Sequence, residues 1–245
     1  MARVLCPLPD RDFDVTEVVV PWKVLTDAGH EVVFATETGE RPHCDPLLLT
    51  GVVFGQLGAD PDACALYEEL QSGDALAAPR VWSELEPADF DALLLPGGHA
   101  QGMRQYLGSE LLQEKVRAFW ALDRPVAAIC HGVLVLARAG CLSEVRTTCL
   151  PHYMEMLAYG LTFWKLGRYY RTYEPTVEEE VRQAMDPAKF ERGPINLGKR
   201  GTEHDDSPAF VVEDGRYVSA RWPGDAWAFA RAFLARLPPS QTQPR

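Results

Sequence analysis

The stretch Pro125-Val-Ala-Ala-Ile-Cys-His-Gly-Val133 decides the fold of this chain. Its residues 126–129 form a short apolar run that is typical of a buried strand, and the apolar pattern over residues 133–139 predicts a helix. Cys130 stands at the turn between them, as in a nucleophile elbow, where a sharp strand-to-helix turn exposes the reactive atom. Because a helix N-terminus favours thiolate, we expect an exposed thiol with a lowered pKa. The alternative is a structural cysteine buried at the end of a core strand.

The composition is that of a soluble globular domain and excludes several classes of partner. The 245 residues are 47% hydrophobic and 24% charged, with a formal net charge of −11. A chain this acidic has no basic stripe for phosphates, so we expect no nucleic-acid partner. We expect no membrane partner, because no apolar run approaches the ~20 residues that span a bilayer. The N-terminal residues also lack the apolar stretch of a signal peptide.

The cysteines indicate a reducing compartment. None of them forms a CxxC pair, and their spacing is irregular, so in a chain of this length they predict reduced thiols in a cytoplasmic protein. The spacing of cysteines and histidines does not match a zinc site, and we expect no metal. The six positions are Cys6, Cys44, Cys64, Cys130, Cys141 and Cys149.

Strand and helix patterns alternate along the chain, which predicts an α/β fold with a mostly parallel sheet and helices on both faces. Thr16 is expected to cap the first long helix. Residues 40–58 are rich in proline and glycine and predict a loop, whereas residues 147–150 predict a short strand. Residues 151–205 break the alternation. They are interpreted as a helical insertion in a single domain that spans residues 1–240.

Two further elements lie where strands or helices open onto the carboxyl edge of the sheet, the edge at which such sheets bind ligands. Gly97 and Gly98 follow a buried strand, and two glycines let the backbone approach a ligand and turn its N–H groups inward. His99 comes next and is a candidate substrate contact. Glu17 begins the first long helix and can serve as a proton carrier near the thiol or, more simply, as a favourable helix-terminus carboxylate.

Together these motifs resemble the ThiJ/PfpI superfamily, which has the class I glutamine amidotransferase-like fold. The resemblance rests on Glu17-Val-Val-Val-Pro21, Leu95-Pro-Gly-Gly-His99 and Ala128-Ile-Cys-His-Gly132, and it covers about residues 1–150 and 208–237. It implies a flavodoxin-like three-layer sandwich with a nucleophile elbow. It also implies that the elbow cysteine is the nucleophile or a redox-sensitive group, that the glutamate contacts the thiol, and that the Gly-Gly loop helps to form the oxyanion site together with the elbow glycine, Gly132.

The remaining member of a catalytic triad stays open. His131 is a candidate general base, although its N–H alone could serve the oxyanion. Family members often place an acid after the strand that follows the elbow helix, and the matching position here is His152. Glu155 lies one turn later, and Asp205 could replace either of them after the insertion.

We expect a cysteine-dependent enzyme that acts on a small electrophilic carbonyl or amide, by glyoxalase-like hydration or amide hydrolysis. The Cys130 thiolate would attack, and Glu17 or His131 would move the proton. No cofactor is implied, the partner is a small-molecule substrate, and a homodimer is expected. The alternative is a non-enzymatic redox sensor or holdase chaperone that uses Cys130 oxidation.

The aromatic residues of the insertion must bury surface somewhere. We expect residues 151–175 to form helices that wall the Cys130 pocket, with Trp164 and Tyr169 the residues that matter most. The competing expectation is that these aromatic side chains lie in a homodimer interface on the far side.

Overall fold

The computed structural model describes residues 1–53 and 57–239. Residues 54–56 of the predicted loop, and residue 240 at the predicted end of the domain, lie outside the described residues. The strands are β1 Arg3–Pro7, β2 Arg11–Phe13, β3 Glu31–Thr36, β4 His43–Cys44, β5 Arg80–Val81, β6 Ala92–Leu95, β7 Val126–Ile129, β8 Val211–Asp214 and β9 Tyr217–Ala220. The helices are α1 Val15–Asp27, α2 Pro46–Thr50, α3 Pro61–Ser72, α4 Met103–Gly108, α5 Glu110–Trp120, α6 Val133–Arg138, α7 His152–Leu166, α8 Val177–Gln183 and α9 Ala226–Leu234.

A mostly parallel sheet organises the described residues. Seven strands run in the order β5-β3-β1-β6-β7-β9-β8, and only the β8–β9 pair is antiparallel. Strands β6 and β7, which lead to the predicted site, lie side by side near the centre and are buried along their whole length. Both therefore end at the same edge of the sheet, where the loops after them meet.

Helices cover both faces of this sheet. The contacts group α1 with α3 and α9, and group α6 with α4, α5 and α8. Strands buried on both faces read as continuous apolar runs, as β6 and β7 do, because neither face meets water. The predicted α/β fold with a mostly parallel sheet is thereby confirmed. Within the described residues no helix is both long and apolar enough to cross a bilayer.

Several local predictions were wrong. The cap of α1 is Asp14, whose carboxylate accepts hydrogen bonds from the amides of Thr16 and Glu17, so Thr16 lies inside the helix. The loop over residues 40–58 contains β4 and the short helix α2. Residues 147–150 form no strand of the sheet, because β9 occupies the place beside β7; Thr147 makes one isolated bridge to Phe190.

Candidate active site

The elbow turn brings Cys130 to the end of β7 in a strained backbone conformation. Cys130 has a φ of 58°, in the left-handed region that residues other than glycine rarely adopt. Residues Cys130–Gly132 form one turn of 3-10 helix, and α6 follows directly. Gly132 is required at this turn, since a Cβ there would lie 2.1 Å from the carbonyl oxygen of Leu95. The loop after β6 and the elbow are therefore packed backbone against backbone.

The thiol itself is buried, contrary to the expected exposed elbow. Cys130 is only 3% exposed. Burial, the Glu17 carboxyl and Asp14 raise the pKa of the thiol well above its usual range, while a hydrogen bond from the His131 amide lowers it by less. The expectation of a lowered pKa is therefore wrong, because desolvation outweighs the helix N-terminus. A thiol in this environment would need a proton acceptor before it could act as a nucleophile.

Glu17 lies fully buried beside the elbow. Its Oε2 accepts a hydrogen bond of 2.7 Å from the amide of Gly97, whereas its Oε1 is buried without a hydrogen-bond partner in the described part of the chain. The carboxyl lies close enough to the Cys130 thiol for each group to shift the pKa of the other. Burial and the neighbouring Asp14 raise the pKa of Glu17 well above its ordinary 4.5, so the buried site favours the protonated carboxyl. A protonated carboxyl beside a thiol can donate a proton but cannot take one.

Gly97 and Gly98 matter at this site because their missing side chains leave room for close packing, more than because their amides donate hydrogen bonds. The amide of Gly97 is already bound to Glu17. A Cβ at Gly97 would lie 2.7 Å from the amide nitrogen of His131 and 3.0 Å from that of Gly132. A Cβ at Gly98 would lie 2.8 Å from the carbonyl oxygen of Asp12. The missing side chains thus allow the loop to sit against the elbow amides and the loop before α1.

A chain of hydrogen bonds orients the His131 ring. The hydroxyl of Thr172 donates to the carbonyl oxygen of His99 at 2.7 Å, so its oxygen is left to accept from Nε2 of His131 at 3.4 Å. That arrangement places the ring proton on Nε2 and leaves Nδ1 as the acceptor, 3.5 Å from the Cys130 sulfur. Burial lowers the pKa of His131 well below 6.5, so the ring is neutral.

Thr172 was not predicted as a partner of His131. The three residues that were candidates for the remaining member of the triad are engaged elsewhere. Glu155 is buried and accepts from Arg171 at 3.0 Å and from the amide of Val177 at 2.9 Å. His152 is paired with Thr176 on a separate polar surface, and Asp205 is exposed and caps a local turn. Burial raises the pKa of Glu155 to about 7, although Val177 and Arg171 oppose the shift. Glu155 holds the segment that carries Thr172, through Arg171.

His99 completes the cluster. Its ring meets the His131 ring edge-on with centroids 4.7 Å apart, and burial lowers its pKa to about 4. One nitrogen or sulfur atom from each of His99, Cys130 and His131 lies within 4.8 Å of the others. Neutral imidazole and thiolate are donors that zinc accepts, so the fold brings together a donor set that spacing in the sequence did not reveal.

A cavity of about 250 Å³ opens beside this cluster, and we call it the apolar cavity. His99 and Asp14 form part of its floor, and residues of α7 form one wall. Residues from the range 151–175 therefore wall this cavity, but Cys130 itself is not among the lining residues, and the members of the wall differ from those predicted. Trp164 is 59% exposed and lies outside the lining. Tyr169 instead donates a hydrogen bond to Asp45, as Tyr170 does from the lining itself.

Comparisons with known proteins agree with this architecture. A sequence model described as ThiJ/PfpI family-like matches residues 8–194. Protein/nucleic acid deglycase 2 of Escherichia coli is 37% identical over 222 residues, which cover 90% of this chain and 100% of the relative. A deglycase of Pyrococcus abyssi is 28% identical over 235 residues, covering 96% and 99%. The solved structure of glyoxalase III from Candida albicans shares the fold, with a TM-score of 0.69 at 20% identity over 97% of this chain and 98% of that chain.

Proposed function

Because this chain belongs to the ThiJ/PfpI family, we propose that it is a cysteine-dependent enzyme acting on small carbonyl compounds. The reaction best supported is the glyoxalase-like conversion of an α-oxoaldehyde and water into an α-hydroxy acid. One observation carries the proposal: the Cys130 sulfur lies 3.5 Å from a proton acceptor, Nδ1 of His131, and is close to the buried carboxyl of Glu17, whose raised pKa favours the form that can donate a proton. The names of its relatives, deglycase and glyoxalase III, accord with this chemistry.

The first step joins the thiol to the aldehyde carbon. The thiol proton moves to Nδ1 of His131 as the sulfur–carbon bond forms and the C=O π bond breaks. Glu17 gives its proton to the oxygen, and the amide of His131 lies nearby to stabilise the developing charge. Thr172 is a positioning residue here, since its contact with Nε2 keeps Nδ1 free of a proton.

The remaining steps need water alone. Glu17, now a carboxylate, removes the proton from the former aldehyde carbon while His131 gives its proton to the oxygen of the neighbouring carbonyl, and an enediol forms. Glu17 then returns its proton to that neighbouring carbon as His131 takes the hydroxyl proton of the first carbon, so the first carbon is oxidised as the second is reduced and a thioester results. Water, losing a proton to Glu17, displaces Cys130 from the thioester and His131 returns its proton to the sulfur, which releases the α-hydroxy acid and restores the thiol. No external oxidant or reductant enters the balance.

Two further features support this assignment and its setting. The burial of Cys130 counts against the alternative redox-sensor function, because sensor thiols are solvent-accessible. All six cysteines are free, which supports our proposal that the protein works in the reducing cytoplasm. Assembly into a homodimer stays a prediction.

The test is the formation of lactate from methylglyoxal by the purified protein. We expect Cys130→Ala to lower kcat by at least about a thousandfold, the scale seen when a catalytic nucleophile is removed. Cys64→Ala is the matched control, since Cys64 is a free thiol that is partly exposed and should leave the rate unchanged. A Cys130→Ala protein that still forms lactate at the wild-type rate would overturn the proposal.

A further inference from the structure

The apolar cavity has a lining that small carbonyl substrates do not require. Four stretches of the chain supply aliphatic or aromatic side chains to it. They are the region of α2, residues 150–161 in and before α7, and the two loops that precede and follow the β8–β9 hairpin, which we call the closing hairpin. The apolar lining residues are Leu48, Val52, Leu57, Leu150, Met154, Leu157, Ala158, Leu161, Leu197, Trp222 and Pro223. Such a surface favours an apolar ligand, because burial removes apolar area from water on both sides.

The polar groups of the lining are largely satisfied inside the protein. Asp45 accepts hydrogen bonds from Tyr170 at 2.7 Å and Tyr169 at 3.0 Å. Asp14 is occupied by the first amides of α1. Arg200 pairs with Asp60 and lies over the Trp222 ring. A ligand rich in hydroxyl groups would therefore lose hydrogen bonds to water and find few partners here.

Two lining residues are exceptions. The indole Nε1 of Trp222 is buried without a hydrogen-bond partner in the described residues. The second exception is His99, which belongs to the cluster that contains the thiol. Its Nε2 is buried and has no hydrogen-bond partner within the described part of the chain. A ring nitrogen of His99 also lies within 4.8 Å of the Cys130 sulfur. Nε2 of His99 is thus available to a polar group of a ligand near the thiol, and the rest of the lining is largely apolar. This is the usual design of a small-molecule site.

We infer that the substrate carries an apolar substituent, aryl or branched alkyl, on an α-oxoaldehyde whose aldehyde carbon reaches Cys130. This inference rests on the proposed function and names its substrate class. The volume agrees: an apolar protein cavity of about 150 Å³ binds benzene, and the cavity here measures about 250 Å³. A methyl group would leave most of that space unfilled, whereas a phenyl or isobutyl group would fill much of it.

The experiment compares kcat/KM for methylglyoxal, 4-methyl-2-oxopentanal and phenylglyoxal, each followed by formation of its α-hydroxy acid. We expect kcat/KM for the two larger aldehydes to exceed that for methylglyoxal by at least about tenfold, the discrimination available to an apolar pocket. Equal values for the three, or a preference for methylglyoxal, would overturn the inference while leaving the proposed function intact. Absence of Cys130-dependent turnover with all three would overturn the proposed function itself.

Two residues of α7 provide a matched pair of variants. Leu161 lines the cavity and is 45% exposed, so Leu161→Gln should fold. Phe163, on the same helix, is 54% exposed and outside the lining. We expect Leu161→Gln to lower kcat/KM for phenylglyoxal about fivefold or more, with methylglyoxal changed less than twofold, and Phe163→Gln to alter neither. An equal loss for both substrates in Leu161→Gln would contradict a substituent in this cavity. Leu157→Gln repeats the test at a second half-exposed lining position.

Discussion

The elbow and the insertion differ in how far apart in sequence the residues lie that determine their structure. In the elbow, residues 126–137 are consecutive, buried and set by contacts with neighbouring strands. In the insertion, residues 151–205 supply Thr172 to the His131 ring and α7 to the cavity wall, across large separations in sequence. The comparison teaches that this chain encodes the proposed nucleophile locally. The tautomer of the proposed general base and the shape of the apolar cavity depend on contacts made only after folding.

A pair of glycine substitutions, one in each region, should give the largest difference. At Gly132 a Cβ would lie 2.1 Å and 2.7 Å from the carbonyl oxygens of Leu95 and Pro96. These are backbone atoms of the β6 end, so we expect Gly132→Ala to lower the free energy of unfolding by about 3 kcal/mol. At Gly160, in α7, a Cβ would meet nothing within 4 Å.

Gly160→Ala is therefore the control, and we expect it to be neutral or to stabilise by up to about 1 kcal/mol, because alanine favours helix. Urea denaturation of both variants measures the difference. If Gly132→Ala unfolds with the same midpoint as Gly160→Ala, the elbow is not the rigid region that the comparison requires.

Removal of the Thr172 hydroxyl should have the next largest effect. In Thr172→Val the Nε2 proton of His131 loses its acceptor, the preferred tautomer is no longer fixed, and we expect kcat to fall about 10- to 100-fold with KM nearly unchanged. Thr172→Ser should restore most of the rate. The control is Thr26→Val, since the Thr26 hydroxyl donates to the carbonyl oxygen of Trp22 within its own helix and Thr26 lies outside the cavity lining. Steady-state kinetics would contradict the assignment if both valine variants lost activity equally.

Glu17→Gln should change how stability depends on pH. The pKa of Glu17 is raised above 4.5 by folding, so the folded state keeps a proton that the unfolded state has lost. The contribution of Glu17 to the free energy of unfolding is thus greatest below pH 4.5. It is lost as pH rises through the pKa of the folded state, by up to about 1.4 kcal/mol per pH unit. Glutamine cannot ionise, so the free energy of unfolding of the variant, measured by urea denaturation, should rise relative to that of the wild type between pH 5 and pH 8. A constant difference across that range would mean that Glu17 ionises normally.

The smallest effect is expected at Trp164. Because it lies outside the cavity and is largely exposed, Trp164→Ala should change the free energy of unfolding by less than about 0.5 kcal/mol and leave the alkylation rate of Cys130 unaltered. Sedimentation of the same variant tests the predicted homodimer, since a shift to monomer would place the aromatic face of α7 in the interface. A slower or faster reaction of Cys130 with iodoacetamide would contradict this prediction and indicate that Trp164 lines the site.

The sequence was sufficient for the parts of the molecule that local chemistry determines. The strand, the turn and the helix around Cys130 follow from consecutive residues, and Glu17 lies beside the Gly-Gly loop as its position in α1 indicates. Burial of the thiol was the alternative to an exposed elbow, and the sequence could not decide between the two, because groups around the thiol such as Glu17 and His99 come from separate segments of the chain. A threonine such as Thr172 gives no signal for a role in a site, since threonine is common in turns.

Other errors have equally specific causes. Asp14 and Thr16 are both good capping residues, and only the backbone conformation shows that Asp14 precedes the first helical residue. The β-rich run at residues 147–150 would suit a strand, but the sheet position beside β7 is taken by β9. The amide of Thr148 bonds instead to the hydroxyl of Ser219, on β9 itself. Competition for a place in the sheet is a property of the whole chain.

The pairing of β7 with β9 has a consequence for the order in which the protein is made. β9 pairs with the strand that delivers the thiol along its whole length, from Val126 with Tyr217 to Ile129 with Ala220. A chain synthesised from its N-terminus exposes β7 long before β9 leaves the ribosome, and until then one side of β7 is an open edge that other strands can pair with. A nascent or truncated chain without the closing hairpin would carry every motif of its family and still lack the finished sheet that supports its nucleophile.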